Sequence, residues 1–117
     1  MRKYQEITTI SRSEAQQILE QGAPEEIALT LLRLAYYDPD WMWVQDVCVS
    51  LSAHHDKWVR QTCVICFSHL ARIHRKLEMQ KVTPVLNRLL QDPEVKGEVE
   101  VTSDDLEVFL KSDPDLR

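Results

Sequence analysis

The sequence predicts an all-α protein, a short α-solenoid of five to six antiparallel helices, and three observations lead there. Only two of the 117 residues are glycine, whereas hairpin-rich β folds draw on glycine for turns at positive φ. Asp-Pro pairs stand at 38–39 and 92–93, and the residue before proline avoids the helical region, so each pair stops one helix before the next begins. Between the stops, apolar residues recur at helical spacing.

Length assigns the whole chain, 1–117, to one domain, with a loose arm at 1–10 and a frayed acidic tail at 112–117. The 44% hydrophobic and 28% charged residues are the balance of a folded chain. No apolar run reaches the roughly 18 residues of a membrane span, and no secretory leader is visible. Three cysteines, an odd number, read as free thiols in the reducing cytoplasm.

Ser11-Arg12-Ser13-Glu14 is a capping box. The helix it opens carries Ala15, Ile18 and Leu19 on one side and stops at Gly22. Pro24 suits the first position of the second helix, and Glu25 and Glu26 suit its positive end. Ile27, Leu29, Leu31, Leu32, Leu34 and Ala35 then form its broad stripe. Asp38 or Asp40 caps the third helix, Trp41 to about Ser52, with Val44, Val47, Cys48 and Leu51 apolar. Asp56 caps the fourth and longest, Lys57 to about Arg75. Its stripe of Val59, Cys63, Cys66, Phe67, Leu70 and Ile73 is widened by Trp58, Thr62, Val64 and Ile65, which predicts a central helix with several neighbours. A fifth covers about Glu78 to Gln91, with Pro84 in or near its first turns. Residues 93–101 alternate in polarity as a strand would. Helix is the favoured reading of Glu98 to Lys111, with a break at Gly97 or at Thr102-Ser103.

The helix starts repeat. Trp43-Val44-Gln45-Asp46-Val47-Cys48-Val49 aligns with Trp58-Val59-Arg60-Gln61-Thr62-Cys63-Val64 at an offset of 15. Asp56-Lys57-Trp58-Val59-Arg60 aligns with Asp92-Pro93-Glu94-Val95-Lys96 at an offset of 36. A period in the thirties to forties, two helices per unit, is the mark of helical repeats whose core is supplied by stacked neighbours.

On these residues the chain resembles the HEAT-repeat family, over about residues 24–111. The signature is Asp56-x-x-Val59-Arg60 opening a helix, followed by Cys63, Cys66, Leu70 and Ala71; Asp92-x-x-Val95-Lys96 is a weaker copy with Lys in place of Arg. The resemblance implies structural roles for Asp56, Val59, Arg60 and Asp92, since the family's Asp and Arg hydrogen-bond between neighbouring repeats. Tyr37-Asp38-Pro39-Asp40-Trp41-x-Trp43-Val44-Gln45-Asp46 and His69-Leu70-Ala71-Arg72-Ile73-His74 are similar to stretches of small bacterial HEAT-like proteins. Some of these serve as immunity proteins of contact-dependent growth-inhibition and other polymorphic toxin systems.

Catalytic patterns are missing from the sequence. Cys63-x-x-Cys66 falls mid-helix on the apolar stripe, the setting of packed core thiols, and Cys48, His69 and His74 do not converge with it on one ion. His54-His55-Asp56 can be read as an acid–base pair or as a cap beside two solvated imidazoles. There is no phosphate-binding glycine loop, serine elbow or H-E-x-x-H. Arg72, His74, Arg75, Lys76 and Lys81 form a basic cluster, set in an acidic chain.

Charge is unevenly placed. Residues 1–90 carry 11 Lys/Arg against 10 Asp/Glu and residues 91–117 carry 3 against 9, giving the net charge of −5. An acidic end repels nucleic acid and favours a basic partner, although a solubilising tail has the same composition. Tyr37 and Trp41 beside Asp38, Asp40 and Asp46 have the make-up of an interface, aromatic anchors with steering charge. Trp41 is the better candidate for exposure than Trp43, which shares its repeat position with Trp58. Glu98, Glu100, Asp104 and Asp105 complete the partner-binding set.

What the resemblance implies is a non-catalytic cytoplasmic protein that neutralises a toxin domain, a nuclease above all, by occluding its active site. A scaffold or adaptor with a non-toxin partner is the alternative. No cofactor, metal ion or catalytic residue is expected, nor direct contact with nucleic acid or membrane, and the chain alone is expected to be a monomer.

Overall fold

In the computed structural model, residues 7–111 are described. They form six helices and no strand: α1 (Arg12–Gln21), α2 (Pro24–Tyr37), α3 (Trp41–Leu51), α4 (Lys57–His74), α5 (Met79–Leu89) and α6 (Lys96–Lys111). The terminal segments 1–6 and 112–117, which take in most of the expected arm and the whole expected tail, lie outside the described residues.

Short polar side chains set the helix starts by accepting amide protons that have no partner inside the helix. Ser11 Oγ accepts from the Glu14 amide at 3.1 Å. Glu26 Oε1 reaches back to the Ala23 amide at 2.9 Å, one residue ahead of Pro24. Asp40 is the cap of α3, accepting from the Trp43 amide, while Asp38 accepts from the Asp40 amide and so fixes the turn before it. One oxygen of Asp56 takes the amides of both Trp58 and Val59. At the other end of α4, Arg75 turns the chain with a left-handed φ of 58°.

The helices lie in two rows, α1–α3–α5 and α2–α4–α6. In the first, the Gln45 amide group donates to Glu78 Oε1 at 2.8 Å and accepts from the Glu78 backbone amide at 2.7 Å. Further along, Arg88 donates to Ser52 Oγ at 2.8 Å. In the second, the Cys66 thiol points at the Leu31 carbonyl, Thr102 Oγ1 at the Val64 carbonyl, and Ser68 donates to Asp105 at 3.0 Å. These ties join residues 33 to 38 apart, and where there are two they advance together along both partners, so α3 and α5 run parallel, as do α4 and α6.

The core sits between the rows and is built around α4, which packs on α2, α3 and α6. Leu31, Val44, Val59, Val64, Phe67 and Leu70 are fully buried. The three cysteines are free and buried among them, the core-thiol arrangement that their place on the apolar stripe predicted. Hydrogen bonding to Cys48, with burial, pushes the Cys63 thiol well above its ordinary value.

Two expectations are corrected. α6 runs without a break through Gly97 and Thr102-Ser103, and residues 96–101 are helical, as favoured from Glu98 onward. Val95, Val99, Thr102 and Leu106 are buried at steps of four, three and four, whereas Val101 is exposed; the apparent alternation was a helical period sampled over too few residues. Pro84 lies inside α5 at its sixth position, within the first turns as expected. Trp58 and Ile73 do not widen the buried face of α4, since both are exposed.

The two glycines differ. Gly22 has an ordinary extended backbone, so its role is space: a Cβ there would lie 2.7 Å from the Ile18 carbonyl oxygen and 2.9 Å from Ile18 Cγ2. A Cβ at Gly97 would meet nothing within 4 Å. Gly22→Ala is expected to lower stability in urea denaturation by about 1–3 kcal/mol through forced overpacking. Gly97→Ala is expected to raise it by up to about 1 kcal/mol, the helix-propensity gain. Equal effects of the two would show that the α1–α2 junction is not tightly packed.

Candidate partner interface

The aromatic and acidic residues singled out in the sequence fall into two separate places. Tyr37, Asp38, Asp40, Trp41 and Asp46 lie where α2 ends and α3 begins. Glu98, Glu100, Asp104 and Asp105 lie on α6, which makes its main contacts with α4 and α5.

At the α2–α3 corner the side chains divide by task. Tyr37 is half exposed, its ring tilted against Tyr36 at 6.1 Å. The carboxylate of Asp38 is mostly covered, and Asp40 pairs with Arg12 of α1 at 3.1 Å. The Trp43 amide, and then the Arg12 guanidinium, hold the Asp40 carboxyl below its ordinary value. Trp41 is partly buried against the core rather than standing free. Asp46 is exposed and lies 3.3 Å from Lys81 of α5.

The α6 acids divide in the same way. Glu100 and Asp104 are exposed. Glu98 is partly buried beneath Thr102, and Asp105 accepts from Ser68 of α4. Val101 and Val108, one heptad apart, are both exposed beside these acids, an apolar pair that the sequence reading did not select.

The repeat positions form a clamp between two turns. Arg60 donates through Nε to Asp92 at 2.9 Å and through Nη2 to Glu94 at 2.6 Å. Its Nη1 also donates to the carbonyls of His54 and His55. With a side chain only 12% exposed, Arg60 thus binds the α3–α4 turn to the α5–α6 turn. The two histidines stack beside it at 4.3 Å, and His54 Nδ1 accepts the Asp56 amide, which leaves that nitrogen unprotonated in this bond. The basic cluster is dispersed. Lys81 bridges Glu78 and Asp46, Arg75 donates to the Phe109 carbonyl, and Arg72 turns to His69.

A groove that the sequence reading missed runs between α1 and α3. It encloses about 360 Å³, with Leu19, Trp43, Val47 and Leu51 as its apolar lining and Glu20 and Asp46 as its charged groups. Arg12 at its end lays its guanidinium 3.9 Å from the Trp43 ring centroid. The signal was in the spacing: Trp43, Asp46, Val47, Ser50 and Leu51 share one face of α3, and Gln16, Leu19 and Glu20 share one face of α1.

The described residues hold no group of three or more His, Cys, Asp or Glu placed to bind a metal ion. No helix among them is long and apolar enough to cross a membrane.

No family model matches the chain, and no curated protein matches it. Among solved structures it is similar to a chain in the crystal structure of a CDI complex from Cupriavidus taiwanensis. The two are 32% identical, with a TM-score of 0.80 over 93% of this chain and 98% of that one. The chain belongs to that protein's family. The likeness extends over nearly the full length of both chains.

Within the α2–α4–α6 row, His69 packs edge-on against Tyr36 at 4.7 Å. Burial, and then the nearby Arg72, lower its pKa below 6.5, while Asp105 acts in the opposite sense. The unfolded chain therefore takes up a proton on His69 at a pH where the folded chain resists it. Stability is full above about pH 6.5 and falls as the pH drops below it. Burial lowers His74 too, so part of the effect belongs there. His69→Gln is expected to flatten the fall in urea midpoint between pH 7.5 and 5.5; an unchanged slope would place the linkage elsewhere.

Proposed function

We propose that this chain is an immunity protein of a contact-dependent growth-inhibition system. In this reading it binds a cognate toxin domain in the cytoplasm and blocks it without performing chemistry of its own. The observation that carries the proposal is the 32% identity, at a TM-score of 0.80 and over nearly both full lengths, to a chain of a CDI complex. Such systems pair a toxin domain with a dedicated protein that protects the producing cell. The resemblance of residues 37–46 and 69–74 to small bacterial HEAT-like proteins, some of which are immunity proteins, supports the same member of the pair.

The finer reading is a short HEAT-like α-solenoid. The parallel ties at separations of 33 to 38 residues are what two helices per repeat would produce, and the Arg60–Asp92 pair spans two such units. The toxin domain is inferred to be basic, as a nuclease with a substrate channel is, and the chain to act by filling that channel. The acid surplus after residue 90 supports this through complementary charge and steered capture. Of the sequence-selected residues, exposed Tyr37, Asp46, Glu100 and Asp104 are assigned direct contact. Asp38, Asp40, Trp41, Glu98 and Asp105 hold the surface that presents them.

The test is co-expression with the products of the neighbouring genes. A small basic protein that kills cells alone, survives a high-salt wash on this chain and is harmless beside it is the expected result. Glu100→Lys with Asp104→Lys should slow association about tenfold at low salt, the gap closing as salt rises, with an unchanged circular dichroism melt. A bound partner that is not toxic would move the assignment to an adaptor, and unchanged association would remove α6 from the interface.

A further inference from the structure

We propose that the groove between α1 and α3 is the docking slot for a basic segment of the toxin domain, one arginine or lysine beside an apolar residue. This rests on the immunity reading and specifies what is recognised.

The groove opens because α1 packs mainly on α2, leaving it in lighter contact with α3. Arg33 of α2 takes the carbonyls of Thr8 and Thr9, so the chain entering α1 is held on α2 and not across the slot. Leu19, Trp43, Val47 and Leu51 give the slot an apolar lining, and all four are only partly buried. The volume of about 360 Å³ accommodates two or three side chains.

Charge selects the occupant. Glu20 and Asp46 are the ionisable groups that line the slot, and no Lys or Arg lines it. Glu20 is exposed and forms no ion pair among the described residues. Asp46 shares its one cation, since Lys81 lies 3.3 Å from it and 3.1 Å from Glu78, and its other donor is the neutral Gln45 amide at 3.3 Å. An incoming cation would therefore gain two underused acids over an apolar floor, the setting in which a cation–π contact with tryptophan is strengthened by desolvation. The neighbouring wall already shows the arrangement within the chain: Arg12 lies on the Trp43 ring while bonding to Asp40.

The second groove, between α5 and α6, lacks this selectivity. It is lined by Leu86, Leu90, Leu106 and Leu110, and its charged groups, Glu107 and Lys111, pair with each other at 2.9 Å. It offers no net charge to a basic partner.

The experiment measures the affinity of the full chain for the toxin domain encoded beside it, carrying an inactivating change in its own active site. Ser50→Arg places a bulky cation in the slot from an exposed position, and Glu20→Lys reverses one acid. Each is expected to weaken binding at least about tenfold, mainly by faster dissociation, with an unchanged melting curve. Thr83→Arg, on the α5–α6 groove, should leave affinity as it is. Wild-type affinity in both α1–α3 variants would overturn the docking proposal while leaving the immunity reading intact. A wild-type chain that fails to bind the toxin domain would overturn both.

Discussion

The structure depends on the burial of α4. Eight of its residues, from Val59 to Ala71, are buried, and they point toward three different neighbours. No single partner helix could cover such a circumference, so α2, α3 and α6 must all be in place before α4 is stable. The polar counterpart is Arg60 on the same helix. It replaces the water it loses with two carboxylates and two carbonyls, drawn from turns more than thirty residues apart. Charge-assisted donation from three nitrogens to four acceptors suits a guanidinium and would not be reproduced by lysine. Removing one member of so covered a network typically costs a few kcal/mol.

Because the apolar demand is met at the centre, the ends and outer faces are left for other uses. The α2–α3 corner, the α1–α3 groove and the outer stripe of α6 all carry acids that no core contact requires. That distribution suits a protein that works by covering a basic surface. The buried positions are mostly hydrocarbon and thiols, with Thr30, Gln45, Ser52, Thr62 and Thr102 as the polar exceptions. The three buried thiols and His69 pack against their neighbours. Cys63 is held protonated, and His69 is held neutral against Tyr36.

Much of the fold was legible in the sequence, and the reasons are local. Asp-Pro stops and side-chain caps act within three or four residues, so the boundaries of α2, α3 and α4 could be read to within a residue or so. The interruptions expected in α6 were misjudged because Thr102, polar in the sequence, is buried against α4, where its hydroxyl finds the Val64 carbonyl. Trp58 misled for the converse reason: its large apolar ring suggested the core, but its position faces out. The candidate surface was legible only in part. Residue type picked out the acids and aromatics, but which acids are spent on caps and cross-helix bonds is a tertiary fact. Asp38 and Asp105 proved to be structural ties, and the groove depends on how loosely α1 meets α3, which no spacing within either helix reports.

The central claim is that this chain silences a toxin domain by occupying it. The measurement that bears on it most directly is a titration of the toxin domain's catalytic activity with increasing chain. Occupation predicts a linear fall to zero at one equivalent, with activity recovered when the two are separated in denaturant and the toxin domain is refolded alone. Inactivation by a small fraction of an equivalent, or activity that does not return after separation, would contradict it.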